Sequence, residues 1–195
     1  MPLLKREPDM FPPELFDLPT ELSWWIAHLR SRQEKAFARY LRPLGVPFYL
    51  PQHEKKARRS GRTRISFLPL FPGYLFFRGS LQDRLAALRS DYLVRVIAVP
   101  DQAQLHRELA QLQAFRRSGA HLSPWPDIEA GDAVRVAEGP FRGYRGVVLR
   151  NKGNLRLVVS VSVLRKSVSI EFERDNLAAV LQPEGPSLRG QSAVA

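Results

Sequence analysis

The sequence predicts an α+β protein of two small domains: a ferredoxin-like antiparallel sheet with helices, followed by a small five-stranded β-barrel. Three observations lead there. Between residues 23 and 118, strand-length apolar runs and helix-period segments follow one another as β-α-β-β-α-β-α, the split βαβ order. Beyond residue 128 apolar residues alternate with period two and never with period 3.6. Proline-bearing segments at 1–22 and 119–128, the second with Gly119 as well, separate these patterns from the rest of the chain.

The first 22 residues carry Pro2, Pro8, Pro12, Pro13 and Pro19, which no helix or central strand tolerates, and are read as a loose extension. Trp24 to Leu29 is an apolar strand. Ser31 with Glu34 three residues on spells a capping box, and Phe37, Tyr40, Leu41 and Leu44 form one helical face, closed by Pro43 and Gly45. Val46 to Gln52 reads as a second strand and Gly73 to Phe77 as a third, with a hairpin arm between them. Leu81, Leu85 and Leu88 mark a short helix, Leu93 to Val99 a strand, and Leu105, Leu109 and Leu112 another helix. A linker is placed at 119–128. The second domain, 129–182, holds strands at Ala133–Ala137, Gly146–Asn151, Leu155–Val163, Val168–Phe172 and Leu177–Leu181. Its β-branched residues argue for a constitutive barrel without a helical alternative. A Gly-, Ser- and Pro-containing tail, 183–195, is read as disordered.

The net charge of +11 is concentrated. Residues 1–22 carry −3, residues 23–118 carry +12, and residues 119–195 carry +2. Within the middle segment, Lys55, Lys56, Arg58, Arg59, Arg62 and Arg64 place six cations in ten residues around Ser60-Gly61, a density suited to polyphosphate. The 195-residue chain has no cysteine, so it has neither a disulfide framework nor a thiolate site, and it reads as cytoplasmic. His28, His53, His106 and His121 lie far apart, without metal-ligand spacing. Apolar runs stay under ten residues, too short for a membrane span. There is no phosphate-binding GxxxxGK loop and no GxSxG elbow, and Glu171 and Glu173 on one strand face read as solvated. An enzyme, a catalytic metal and a cofactor are therefore not expected.

Trp24-Trp25-Ile26-Ala27-His28, Arg32-Gln33-Glu34-Lys35, Leu50-Pro51 and above all Phe71-Pro72-Gly73-Tyr74-Leu75-Phe76 resemble the N-terminal domain of the NusG family of transcription elongation factors. Gly131-Asp132-Ala133-Val134-Arg135-Val136, Glu138-Gly139-Pro140-Phe141-Arg142-Gly143 and Gly146-Val147-Val148 resemble its KOW domain. The resemblance implies that His28, Phe71, Pro72, Tyr74 and Phe76 contact the clamp helices of the RNA polymerase largest subunit. It also implies that the basic arm, with Arg30, Arg32 and Gln33, meets upstream or non-template DNA, or nascent RNA. Phe141, Leu164, Arg165 and Lys166 fall where the family's KOW domain meets a ribosomal protein or the termination factor Rho. Leu68-Pro69-Leu70-Phe71-Pro72 looks more like specialised, RfaH-like paralogues that suppress pausing and termination at particular operons. The alternatives are a housekeeping member and, from another class, a ribosome-associated or general RNA-binding KOW protein. A monomer is expected.

Overall fold

The computed structural model describes residues 7–18, 21–59, 62–119, 121–125, 132–136, 144–151, 154–164, 166–171 and 181–183. It is mixed α+β with antiparallel sheets, and the chain divides into two compact units, 1–107 and 108–195.

The first unit is built on a five-stranded sheet. Its strands are β1 (Met10–Phe11), β2 (Ser23–Leu29), β3 (Phe48–Tyr49), β6 (Tyr74–Gly79) and β7 (Leu93–Ala98), ordered β1-β3-β6-β2-β7. A separate two-stranded arm is formed by β4 (Gln52–Arg59) and β5 (Arg62–Pro69). Leaving β1 aside, the order β3-β6-β2-β7 is that of a split βαβ sheet, as the element sequence predicts. The helices are α1 (Glu34–Leu41), α2 (Leu81–Leu88) and α3 (Gln102–Arg117); α3 spans the boundary between the units.

Strand alternation explains one face of this sheet. Trp25, Ala27 and Leu29 of β2 pair with Phe77, Leu75 and, on β7, Leu93, and they share a core with Phe37, Ala38 and Leu41 of α1 and Ala87 of α2. The opposite face, with Trp24, Ile26, Tyr49 and Phe76, is equally buried. Both faces of the sheet are therefore covered. The reason is the segment before residue 22, whose described part is no loose extension. β1 adds to the sheet edge by pairing Met10 with Tyr49 and Phe11 with Phe48, Leu15 is fully buried, and Phe16 sets its ring edge-on to Tyr49 at 5.3 Å.

Local expectations hold unevenly. The Ser31–Glu34 capping box does not form: Gln33 is the N-cap, with no side-chain bond. Leu44 is half exposed because Arg42–Leu44 tightens into a 3-10 turn closed by Gly45 at φ 69°. Leu81, Leu85 and Leu88 also lie outside the core; α2 instead buries Ala87. A capping box does start that helix, with the Ser80 hydroxyl accepting from the Asp83 N–H and the Asp83 carboxylate accepting from the Ser80 N–H.

The second unit holds a six-stranded antiparallel sheet of β8 (His121–Trp125), β9 (Asp132–Val136), β10 (Arg145–Asn151), β11 (Asn154–Val161), β12 (Lys166–Glu171) and β13 (Leu181–Pro183). Their order is β13-β9-β10-β11-β12-β8. Val158, Val159, Val161 and Val168 are buried in it. Residues 121–125, expected in the linker, instead pair with β12 from Glu171↔His121 to Ser167↔Trp125. β11 ends at Val161, short of the expected Val163, because Ser162–Leu164 turns as a 3-10 helix. Residues 177–180, expected to open the last strand, lie outside the described residues, as does the tail after 183.

Candidate nucleic-acid and protein interface

Phe71-Pro72-Gly73-Tyr74 is a turn before it is a strand. The Tyr74 N–H donates to the Phe71 carbonyl at 3.0 Å, Pro72 occupies the second position and Gly73 the third at φ 81°, the pattern of a type II turn. A Cβ on Gly73 would meet nothing closer than 4.0 Å, so the glycine is required for its backbone angle rather than for a close approach. Two bonds fix the turn: the Gly73 N–H donates to Glu34 Oε1 at 2.7 Å, and the Gly73 carbonyl accepts from the Leu29 N–H at 2.8 Å. Glu34, 7% exposed, thus couples the start of α1 to the turn instead of capping its own helix.

From this turn the strand register sets out the second face. Trp24 lies opposite Arg78, Ile26 opposite Phe76 and His28 opposite Tyr74; on the other flank, His28 lies opposite Arg95. The residues assigned by resemblance divide accordingly. Phe71 and Phe76 are buried, their rings T-shaped at 5.6 Å, so they support the surface from below and present no ring to a partner. Pro72 is exposed, and His28 and Tyr74 are half-buried with their rings stacked 5.0 Å apart at 15°. Together with exposed Arg95 they form the open end of the face. Among the described residues, no hydrogen-bond partner meets the buried His28 Nδ1.

The other end of the face is closed by polar contacts. Arg78, 2% exposed, donates to the carbonyls of Leu15, Leu18 and Leu22 at 3.1–3.4 Å, and its guanidinium lies 5.5 Å from the Trp24 ring. Burial lowers its pKa. The Trp24 N–H donates to Gln102 Oε1 at 2.6 Å, while Gln102 Nε2 donates to the Trp24 and Val99 carbonyls at 3.1 Å. Trp24 Nε1 donates to His106 Nδ1 at 3.4 Å, and burial, then Arg78 and Arg107, lower the His106 pKa while Asp17 raises it.

The basic arm projects as an eight-rung ladder from Gln52↔Pro69 to Arg59↔Arg62. Its cations do not share one side. The cross-strand pairs Lys55↔Ser66 and Ala57↔Arg64 put Lys55 and Arg64 together, while Lys56↔Ile65 and Arg58↔Thr63 put Lys56 and Arg58 on the reverse. Lys56 also pairs with Glu54 at 3.4 Å. The four described cations are exposed; Ser60, Gly61 and the side chains of Arg59 and Arg62 lie outside the described residues.

At the base of the arm, a groove of about 580 Å³ runs beside α1, lined by Arg32, Lys35, Arg39, His53, Leu68 and Pro72 among others. It joins Arg32 and Gln33 to the arm, while Arg30 is exposed at the end of β2. Arg32 holds φ at 63°, an uncommon angle for a non-glycine residue. Lys35 Nζ donates to the Phe67 carbonyl at 2.7 Å, and burial lowers its pKa. Lys35 and Arg39 did not stand out in the sequence, although at i and i+4 of α1 they are a readable helical pair. In the second unit Leu164 is half-buried and Lys166 exposed; Phe141 and Arg165 lie outside the described residues.

Among the described residues there is no group of three or more potential metal ligands, and no helix is long and apolar enough to cross a membrane. Residues 22–106 match the family described as transcription termination factor nusG. The chain is 26% identical over 166 residues to the transcription termination/antitermination protein NusG of Pseudomonas aeruginosa, covering 77% of this chain and 94% of that protein. To the proteins of the same name from Vibrio parahaemolyticus and Vibrio cholerae it is 31% and 30% identical over 136 residues, covering 64% of this chain and 72% of each relative.

Proposed function

The chain belongs to the NusG family of transcription termination and antitermination factors, and from that premise we propose that it rides on transcribing RNA polymerase and suppresses pausing and termination. The observation that carries this reading is the open end of the sheet face. There, Pro72 on a fixed turn and the His28–Tyr74 stack form a small rigid knob, flanked by Arg95 and backed by buried Phe71 and Phe76. A preorganised aromatic surface of this kind suits a pair of helices, such as the polymerase clamp, because little side-chain freedom is lost on docking. The arm then extends Lys55, Lys56, Arg58 and Arg64, with Arg59 and Arg62 beyond them, towards the upstream DNA or the nascent RNA. Its contribution is affinity and salt dependence rather than sequence choice.

We read the second unit as the family's KOW barrel, supported by its all-antiparallel strands at the positions of the KOW-like motifs, with Leu164 and Lys166 near a partner-binding loop. Phe141 and Arg165 complete that proposed contact, whose partner is a ribosomal protein or Rho. An operon-specific paralogue fits better than a housekeeping factor: identity to the relatives is only 26–31%, and a packed N-terminal segment precedes the matched region. The test is co-migration with a reconstituted bacterial elongation complex at moderate salt, comparing wild type with Tyr74→Ala. Wild type binds and the variant loses at least about tenfold in affinity, the scale of a hot-spot side chain. Equal binding by both, lost together as salt rises, would transfer the function to charge alone.

A further inference from the structure

The segment before residue 22 lies outside the matched family region, yet Glu7 contacts Arg39, one of the residues that line the groove beside the arm. Glu7 Oε1 sits 2.6 Å from Arg39 Nη1, and the arginine side chain is 42% exposed against 13% for the glutamate. The backbone that carries Glu7 is held from behind. Gln52 Nε2 donates to the Glu7 carbonyl at 2.9 Å and to Asp9 Oδ1 at 3.0 Å, and the Leu50 N–H donates to the Asp9 carbonyl at 2.6 Å, so the backbone at 7–9 is fixed independently of the ion pair. Lys35, the other cation of the α1 pair, is engaged with the Phe67 carbonyl at the base of the arm.

We propose that Glu7 is a built-in competitor for nucleic-acid phosphate: it occupies Arg39, keeps that groove cation from the polyanion, and so lowers the chain's non-specific affinity. This rests on the arm's nucleic-acid reading and adds its regulation. The geometry suits the role. Arg39 is accessible enough for a phosphate to reach, and Glu7 is anchored through its backbone, so it can release the arginine without the segment leaving the sheet. The gain is selectivity, because a phosphate must displace a carboxylate at Arg39 while the arm alone remains open to any nucleic acid.

The experiment is a double-mutant cycle on the full chain, titrating a fluorescein-labelled mixed-sequence single-stranded DNA oligonucleotide across a salt series. Glu7→Gln binds about two- to fivefold tighter than wild type, the range set by an exposed ion pair, and the slope of log affinity against log salt steepens by about 0.7, one added phosphate contact. Arg39→Gln alone binds like wild type, and Glu7→Gln/Arg39→Gln returns to wild-type affinity and slope. A flat response to Glu7→Gln, or an Arg39→Gln loss as large in wild type as in the Glu7→Gln background, overturns the proposal. Lys55→Glu/Arg58→Glu separates the two levels of the reading. If that variant loses binding while the cycle is flat, only the competitor role fails; if it binds like wild type, the arm's nucleic-acid role fails with it. Near-UV circular dichroism of the tryptophans, unchanged in Glu7→Gln, confirms that the segment stays seated.

Discussion

The second face of the N-terminal sheet is finished in two ways along the same three pairs of β2 and β6. At the Trp24–Arg78 end, a guanidinium, an indole and the carbonyls of Leu15, Leu18 and Leu22 close the surface. At the His28–Tyr74 end, two stacked rings stop short of closure and stay half-buried. Ile26 and Phe76 lie between, fully buried. The face is therefore one core with one aperture, and stability and recognition should separate along it.

The sharpest way to break this comparison is at the closed end. Arg78→Ala strips the charged donor from the buried Leu15 carbonyl and the half-buried Leu18 and Leu22 carbonyls and removes the cation from Trp24, which should cost about 2–4 kcal/mol, read as a lowered urea midpoint. Its loss of polymerase binding, if any, follows from unfolding. His28→Ala at the open end should behave in the opposite way. It loses one exposed-edge stack and relieves the unpartnered Nδ1, so stability changes by less than about 1 kcal/mol, while affinity for the elongation complex falls by about two- to tenfold. Equal effects of both substitutions on both readouts would mean that the face is not divided.

The sequence made the open end legible because its signals are local. Pro72-Gly73 is a turn dipeptide whose geometry needs no tertiary information, and the basic arm is written in consecutive residues. The closed end is not legible in the sequence, because a proline run signals only the N–H groups it lacks. A proline-rich segment still offers every carbonyl, and Arg78 bonds to three of them; Pro8 and Pro12 flank Met10 and Phe11 without preventing a two-residue edge strand. The α2 leucines show the reverse error. Their period predicts a buried stripe, but α2 packs on its Ala87 side, and the leucines turn outward. The groove cations were missed because Lys35 and Arg39 gain their meaning from a strand base and an N-terminal carboxylate that come together only in three dimensions.

The smallest expected effect sharpens the closed end by pH. His106 accepts from Trp24 Nε1 through Nδ1, so it sits neutral with its proton on Nε2, and burial together with Arg78 and Arg107 lowers its pKa below the ordinary 6.5. The unfolded chain then binds a proton that the folded state refuses. Stability contributed by neutral His106 is fully present above the unfolded pKa and is lost as pH falls from about 6.5 towards the depressed folded value. Thermal unfolding should therefore show a lower midpoint near pH 5 than near pH 7.5. His106→Gln keeps an acceptor for the indole without a titrating ring, so its midpoint should fall less over the same interval. An equal fall in both proteins would assign the acid sensitivity to other groups and leave the closed end held by Arg78 and Gln102 alone.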